Sequence, residues 1–211
     1  MRPHSGEILD QMIQKCQGKE ILTIADEVMT GFGRTGPLFA CSAQKSSPDM
    51  ICLSKGLTGG FLPLGATVTK EPLFRSFLGP DLSQALLHGH TYTANPLACA
   101  AANGSLDLLL QPECAEARRT IEKEHLLFQQ QWQNHPRLLR CDVVGTILAL
   151  EYKVEASSYY HPLRERLLSF FLQKGILIRP FGNVLYLIPP YCTTPDELHQ
   201  IYSTIQETLS W

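Results

Sequence analysis

Ile21-Leu22-Thr23-Ile24-Ala25-Asp26 and Met50-Ile51-Cys52-Leu53-Ser54-Lys55 decide how this 211-residue chain folds. Each is a compact apolar run that stops at a polar or charged group. Short apolar runs without polar alternation are the mark of strands buried on both faces of a parallel sheet. Residues 21–25 are therefore expected to be a buried parallel strand, with 50–53 a second short apolar strand and 66–69 a candidate third. The stretch between them is long enough for a crossover that sets the strands side by side. In open α/β sheets, ligands bind beyond the carboxyl ends of strands. Asp26 and Lys55 stand at those ends.

Working outward, residues 6–17 predict a short helix, with Ile8, Met12 and Ile13 on one face and Gly18 as its stop. Residues 30–37 read as a Gly-rich loop. Asn95-Pro96 opens a helix that runs to about Leu110, because Asn is a good N-cap and Pro a good first residue. Pro112 breaks it. A second helical pattern covers 113–134, with Ala117, Ile121, Phe128 and Trp132 as its apolar stripe. Beyond Pro136, residues 143–152 and 184–188 read as strands, with a helix near 163–174 closed by Gly175. Thr194-Pro195-Asp196-Glu197 is a capping box that starts the last helix. The fold class is α/β. Residues 1–110 are expected to be part of a large domain with a mostly parallel sheet, 111–134 a connecting helix, and 135–211 a small α+β domain.

Composition narrows the function classes. The formal net charge is −2, and Lys and Arg are not clustered, so nucleic acid is not an expected partner. Apolar runs fall short of the roughly 20 residues a membrane helix needs, so no membrane partner is expected either. The seven cysteines are scattered and odd in number, with no CxxC. That pattern points to reduced thiols in a cytoplasmic compartment.

Several residues could carry chemistry. A carboxylate at Asp26 can keep a pyridine ring nitrogen protonated, and the Lys55 amine can hold an aldehyde as an imine. A pyridoxal-type electron sink needs both. By themselves they also look like a loop cap and a solvated lysine. Gly31-Phe32-Gly33-Arg34-Thr35-Gly36 matches GxGxxG. As a dinucleotide fingerprint it fails three times: Asp26–Thr30 separate it from the strand, no amphipathic helix begins at Pro37, and Asp49 precedes the second strand rather than ending it. His88 and His90 form an HxH pair with no third ligand nearby, a poor zinc site. Thr91 is free to bond an anion. Arg179, held by Pro180 after the apolar segment 175–178, is read as lying after a strand and suits bidentate capture of a carboxylate. It could equally be a surface arginine.

Taken together, Ile24-Ala25-Asp26-Glu27-Val28-Met29-Thr30-Gly31-Phe32-Gly33-Arg34-Thr35-Gly36, Pro48-Asp49-Met50, Ser54-Lys55-Gly56-Leu57-Thr58-Gly59-Gly60, Leu64-Gly65-Ala66, His88-Gly89-His90-Thr91-Tyr92 and Asn95-Pro96-Leu97-Ala98 carry a resemblance. In order and spacing the chain resembles the class III (omega-type) aminotransferases of the fold-type I pyridoxal-phosphate family. The resemblance implies pyridoxal 5′-phosphate as cofactor, with Asp26 on the ring nitrogen and Lys55 as the Schiff-base lysine. It implies that His90 and Thr91 reach the cofactor phosphate of the other subunit in a homodimer. Gly89 would line the substrate site, Arg179 would bind the substrate carboxylate, and Tyr186 would lie nearby. His90 stands where some members carry proline, so only its backbone role carries over.

Within the class, Phe39-Ala40-Cys41 and the run from Arg179-Pro180-Phe181-Gly182-Asn183 to Pro190-Tyr191 resemble the biotin-pathway branch. That branch moves an amino group from S-adenosylmethionine to 8-amino-7-oxononanoate and gives 7,8-diaminononanoate. The alternatives are an ornithine, 4-aminobutyrate or diamine aminotransferase of the same class, or a truncated, non-catalytic remnant. Members are about twice this length, and Met1-Arg2 resembles a pair found inside their chains. The chain is expected to be a C-terminal fragment that is not a competent transaminase alone.

Overall fold

The computed structural model describes residues 3–211, so Met1-Arg2 lies outside the described residues. The chain forms two compact units: residues 4–33 with 37–111, and residues 112–211 with Arg34–Gly36.

The first unit begins with helix α1, Gly6–Gln17, whose N-cap Ser5 accepts a hydrogen bond from the Ile8 N–H. Strand β1, Ile24–Asp26, pairs parallel with β2, Met50–Leu53, with Asp26 opposite Cys52. Strand β3, Ala66–Thr69, runs antiparallel along the other side of β2. The order is β1-β2-β3, so the sheet is mixed. Asp49 pins the start of β2 to both neighbours. Its carboxylate accepts from the Thr23 N–H and hydroxyl, each at 2.8 Å, and from Lys70 Nζ at 2.9 Å. The Lys70 ammonium and the Thr23 donors pull its carboxyl down to about 2. A short helix α2, Glu71–Ser76, follows β3, with Pro72 in its first turn and Arg75 in its last. Helix α3, Pro96–Leu109, starts at Asn95, whose Oδ1 accepts from the Ala98 N–H.

One expectation fails here. The strand over 21–25 shrinks to 24–26, and its apolar side chains are not buried: Ile21, Leu22 and Ile24 are 53%, 55% and 61% exposed. Among the described residues β1 is an edge strand with β2 as its one neighbour.

The second unit holds helix α4, Pro112–Trp132; strands β4, Leu138–Val144, and β5, Ile147–Tyr152; helix α5, Leu163–Gln173; strand β6, Val184–Leu187; and helix α6, Pro195–Leu209. All pairings in the sheet β4-β5-β6 are antiparallel. The single strand expected over 143–152 is in fact a hairpin. It turns at Gly145-Thr146, with Gly145 at φ +54, a conformation that costs glycine little. The segment 175–178 is not a strand either, since among the described residues it pairs with no other segment. Its side chains still alternate: Ile178 and Pro180 are buried, while Leu177, Arg179 and Phe181 face out.

The core joins Leu148, Leu150 and Leu185 of the sheet to Ile121 and Phe128 of α4, Leu167 and Phe171 of α5, and Leu198 and Ile205 of α6. Burying each such side chain contributes roughly 1.5–3 kcal/mol. The Thr194 capping box forms as expected, with Glu197 bonded back to the Thr194 N–H at 2.8 Å.

Arg34–Gly36 thread into this unit. The Arg34 carbonyl accepts from the Thr146 N–H at 3.0 Å and from the Thr146 hydroxyl at 3.2 Å. The Arg34 guanidinium donates to the Pro189 carbonyl and lies over the Tyr191 ring, 4.4 Å from its centroid. A Cβ on Gly145 would stand 2.4 Å from the Gly36 nitrogen, so only glycine permits this approach.

Candidate active site

Lys55 is the best-defined feature of the first unit. It leaves β2 with φ +47, in the left-handed region that non-glycine residues rarely enter. Such a conformation costs on the order of 1–3 kcal/mol and persists only where the surroundings impose it. Here they do. The Ser54 hydroxyl donates to the Leu64 carbonyl at 2.8 Å, and the Gly60 N–H donates to the Lys55 carbonyl at 3.2 Å. The Ser105 hydroxyl of α3 donates to the Gly56 carbonyl at 3.2 Å. The Phe32 ring packs so closely on Gly56 that a Cβ there would stand 2.8 Å from its Cδ2. Residues 55–58 form a 3-10 turn closed by Gly59 in the left-handed region. The Lys55 side chain is exposed, with no ion-pair partner among the described residues.

Asp26 closes β1 on the neighbouring parallel strand. One carboxylate oxygen accepts from the Val28 N–H at 3.0 Å, and the side chain is exposed. A carboxylate and a primary amine thus leave the same end of two adjacent strands. This donor set suits a pyridine ring that carries an aldehyde: an anion for the ring nitrogen and an amine for the carbonyl.

Glu27 is a residue the sequence reading passed over. It is buried, accepts from the Thr30 hydroxyl at 2.5 Å and from the Cys41 N–H at 2.6 Å, and so shapes the Gly-rich loop beyond Asp26. Burial, together with the Glu27 carboxylate beside it, pushes the Cys41 thiol up to about 11. The only signal in the sequence is its place directly after the strand. The docking of Arg34 was missed as well, because its partners lie more than a hundred residues away.

The loop 88–95 is exposed. The His90 N–H donates to Thr93 Oγ1 at 2.9 Å, and His90 Nδ1 accepts from the Tyr92 N–H at 3.1 Å. His90 is therefore spent on its own turn, whereas Thr91 makes no hydrogen bond among the described residues. Gly89 lies close under Thr93 Oγ1, 3.2 Å from where a Cβ would stand. No cluster of three or more metal-ligating groups occurs among the described residues. No described helix is long and apolar enough to cross a membrane.

Arg179 and Tyr186 belong to the second unit. Arg179 is exposed and makes no ion pair among the described residues. Tyr186 is half-buried on β6, opposite Ala149.

The model of the aminotransferase class-III family matches residues 1–209. The adenosylmethionine-8-amino-7-oxononanoate aminotransferase of Synechococcus elongatus is 46% identical over 209 residues, covering 99% of this chain and 49% of the relative. That of Helicobacter pylori is 37% identical, covering 99% and 48%. The crystal structure of the enzyme of that name from Methanocaldococcus jannaschii superposes with a TM-score of 0.88 at 33% identity, covering 98% of this chain and 50% of that one. An ornithine aminotransferase from Toxoplasma gondii gives 0.81 at 26% identity, covering 99% and 47%. The chain spans about half the length of the curated relatives it matches.

Proposed function

Since this chain belongs to the aminotransferase class-III family, whose members depend on pyridoxal 5′-phosphate, we propose that it carries the cofactor-anchoring part of one particular transaminase. That enzyme moves an amino group from S-adenosylmethionine to 8-amino-7-oxononanoate and yields 7,8-diaminononanoate on the route to biotin. The observation that carries this reading is Lys55, held in a strained conformation at the end of the strand beside Asp26. The names of the relatives support the choice of substrates.

When bound, pyridoxal phosphate supplies an aldehyde to take up the donor's amine and a pyridinium ring to spread carbanion charge. Asp26 holds the proton on the ring nitrogen. Lys55 Nζ would hold the cofactor through its aldehyde. The same amine would serve as general base, taking up and returning the proton that the amino transfer moves. Arg179 binds the acceptor's carboxylate, with Tyr186 nearby. Gly89 lines the substrate site, and the Thr91 hydroxyl serves the phosphate of the other subunit, with the neighbouring His90 N–H already holding the turn through Thr93 Oγ1. The intact enzyme works as a homodimer in the cytoplasm, a compartment in which the seven free thiols stay reduced.

The test is donor selectivity. The chain is co-expressed with the amino-terminal half of a class III relative, because it spans only half of that length. 7,8-Diaminononanoate formation is then measured with S-adenosylmethionine, ornithine or 4-aminobutyrate as donor. Turnover with S-adenosylmethionine is expected. Turnover of ornithine but not S-adenosylmethionine would overturn the reading in favour of the ornithine branch.

A further inference from the structure

Phe32, in the loop after β1, shares the left-handed backbone of Lys55, at φ +60 against φ +47. Gly31 and Gly33 flank it, and glycine takes that conformation with little penalty. A phenylalanine there is strained. Phe32 is nonetheless buried, at 7% exposure, so what the strain secures is the place of the ring. That ring stands against Gly56, the residue directly after Lys55. A Cβ on Gly56 would lie 2.8 Å from Phe32 Cδ2, 3.0 Å from its Cβ and 3.1 Å from its Cγ. Gly56 itself is not in the left-handed region. Glycine is required at 56 for room, not for backbone freedom.

The loop is built to deliver the ring. Glu27, 2% exposed, anchors its start: the carboxylate accepts from the Thr30 hydroxyl at 2.5 Å and from the Cys41 N–H at 2.6 Å. The Glu27 carbonyl accepts from the Gly31 N–H at 2.9 Å, and the Gly33 N–H donates to the Leu38 carbonyl at 3.1 Å. Phe39 meets the Phe32 ring edge to face, with centroids 5.5 Å apart and planes at 70°. The chemistry assigned to Asp26 and Lys55 uses neither Glu27 nor Phe32. The Ser105 hydroxyl already holds the Gly56 carbonyl, and the Phe32 ring fills the space beside the Gly56 Cα. All these residues belong to the first unit.

We propose that Phe32 is a positioning residue for Lys55: its ring, seated on Gly56 by the loop that Glu27 anchors, keeps the Lys55 backbone left-handed and so fixes where the amine leaves the strand. This rests on the reading of Lys55 as the lysine that holds the cofactor. Any return of Lys55 to an ordinary conformation has to swing the Gly56 Cα, and the ring blocks that movement. The amine is therefore carried on a backbone that does not relax. Small misplacements of a reacting group cost large rate factors, even when they arise from a residue that never touches the reacting atoms. Phe32 acts only through Lys55.

The experiment uses the chain co-expressed with the amino-terminal half of a class III relative. It measures the rate at which the cofactor-free protein captures pyridoxal phosphate, followed by absorbance, then kcat and KM for the amino donor, and thermal stability. In Phe32→Ala, capture and kcat are expected to fall about 10-fold or more, with the donor KM little changed. Phe32→Leu, which retains most of the bulk and so protects the fold, falls between. Gly56→Ala alone is expected to slow capture as strongly, because its Cβ meets the ring, and to have little further effect on the Phe32→Ala background, where the ring is gone. A merely structural role would lower thermal stability and leave capture and kcat of the folded protein alone. Unaltered capture and kcat in folded Phe32→Leu and Phe32→Ala, or an equal effect of Gly56→Ala on both backgrounds, overturns the inference and leaves Lys55 as the cofactor lysine. Borohydride-fixed cofactor on a different lysine of the wild type overturns the reading of Lys55 itself.

Discussion

His125 should make the second unit sensitive to acid. The imidazole lies fully buried on α4, with Nδ1 2.6 Å from the Tyr202 hydroxyl and Nε2 3.2 Å from the Thr146 carbonyl. Burial outweighs these polar contacts and the nearby Glu124 charge, and pulls the imidazole from 6.5 down to about 4. A base held neutral in the fold contributes stability that is fully present above its unfolded value of 6.5. That stability is lost as pH falls from 6.5 towards 4, because there the unfolded chain binds a proton that the folded chain refuses. Between pH 7.5 and pH 4.5 the loss is on the order of 2 kcal/mol. With a urea slope of roughly 1–3 kcal/mol per molar, the midpoint should drop by about 1–2 M.

Both tryptophans, Trp132 and Trp211, belong to the second unit, so fluorescence-detected urea unfolding reports on it selectively. Carboxylates also titrate in this range, so the comparison is with His125→Gln. That variant should be less stable at neutral pH but should lose on the order of 2 kcal/mol less than wild type on acidification. Equal acid losses in the two proteins would refute the argument that burial holds His125 neutral.

Two substitutions test other parts of the account. Arg179→Ala should raise KM for 8-amino-7-oxononanoate roughly 30-fold or more, since losing a charged partner costs about 2–4 kcal/mol, while leaving cofactor absorbance intact; an unchanged KM in steady-state assays would reject that role. Gly145→Ala combines φ +54 with a Cβ 2.4 Å from the Gly36 nitrogen. It should destabilise the second unit by more than about 1 kcal/mol in the same urea assay, and a neutral effect would mean that the Arg34–Gly36 approach is not rigid.

What could be read from the sequence was mostly local. The Thr194 capping box, the Asn95-Pro96 helix start and the run Met50–Leu53 into Lys55 depend on neighbours a few residues away, and each stands where it was expected. The hairpin at Gly145 was hidden because apolar residues flank the turn on both sides and read as one strand. Arg179 was placed after a strand because a short apolar run reads as one, but among the described residues 175–178 pairs with no strand. The exposure of Ile21, Leu22 and Ile24 reflects which elements cover the strand, and apolar composition says nothing about that. Glu27 and Arg34 act through contacts with Cys41, Pro189 and Tyr191, which only the fold brings to them. The Asp26–Lys55 pair was chemically legible, yet the left-handed backbone that holds Lys55 was not.

The assignment of Lys55 is the centre of the account, and reductive trapping tests it most directly. The chain, co-expressed with an amino-terminal half of its class, is loaded with pyridoxal phosphate and reduced with borohydride. It is then digested and its peptides are mapped for the pyridoxyl group. Stoichiometric label on Lys55 is the predicted result, and Lys55→Ala should carry none. Label on another lysine in the wild-type protein would contradict the account.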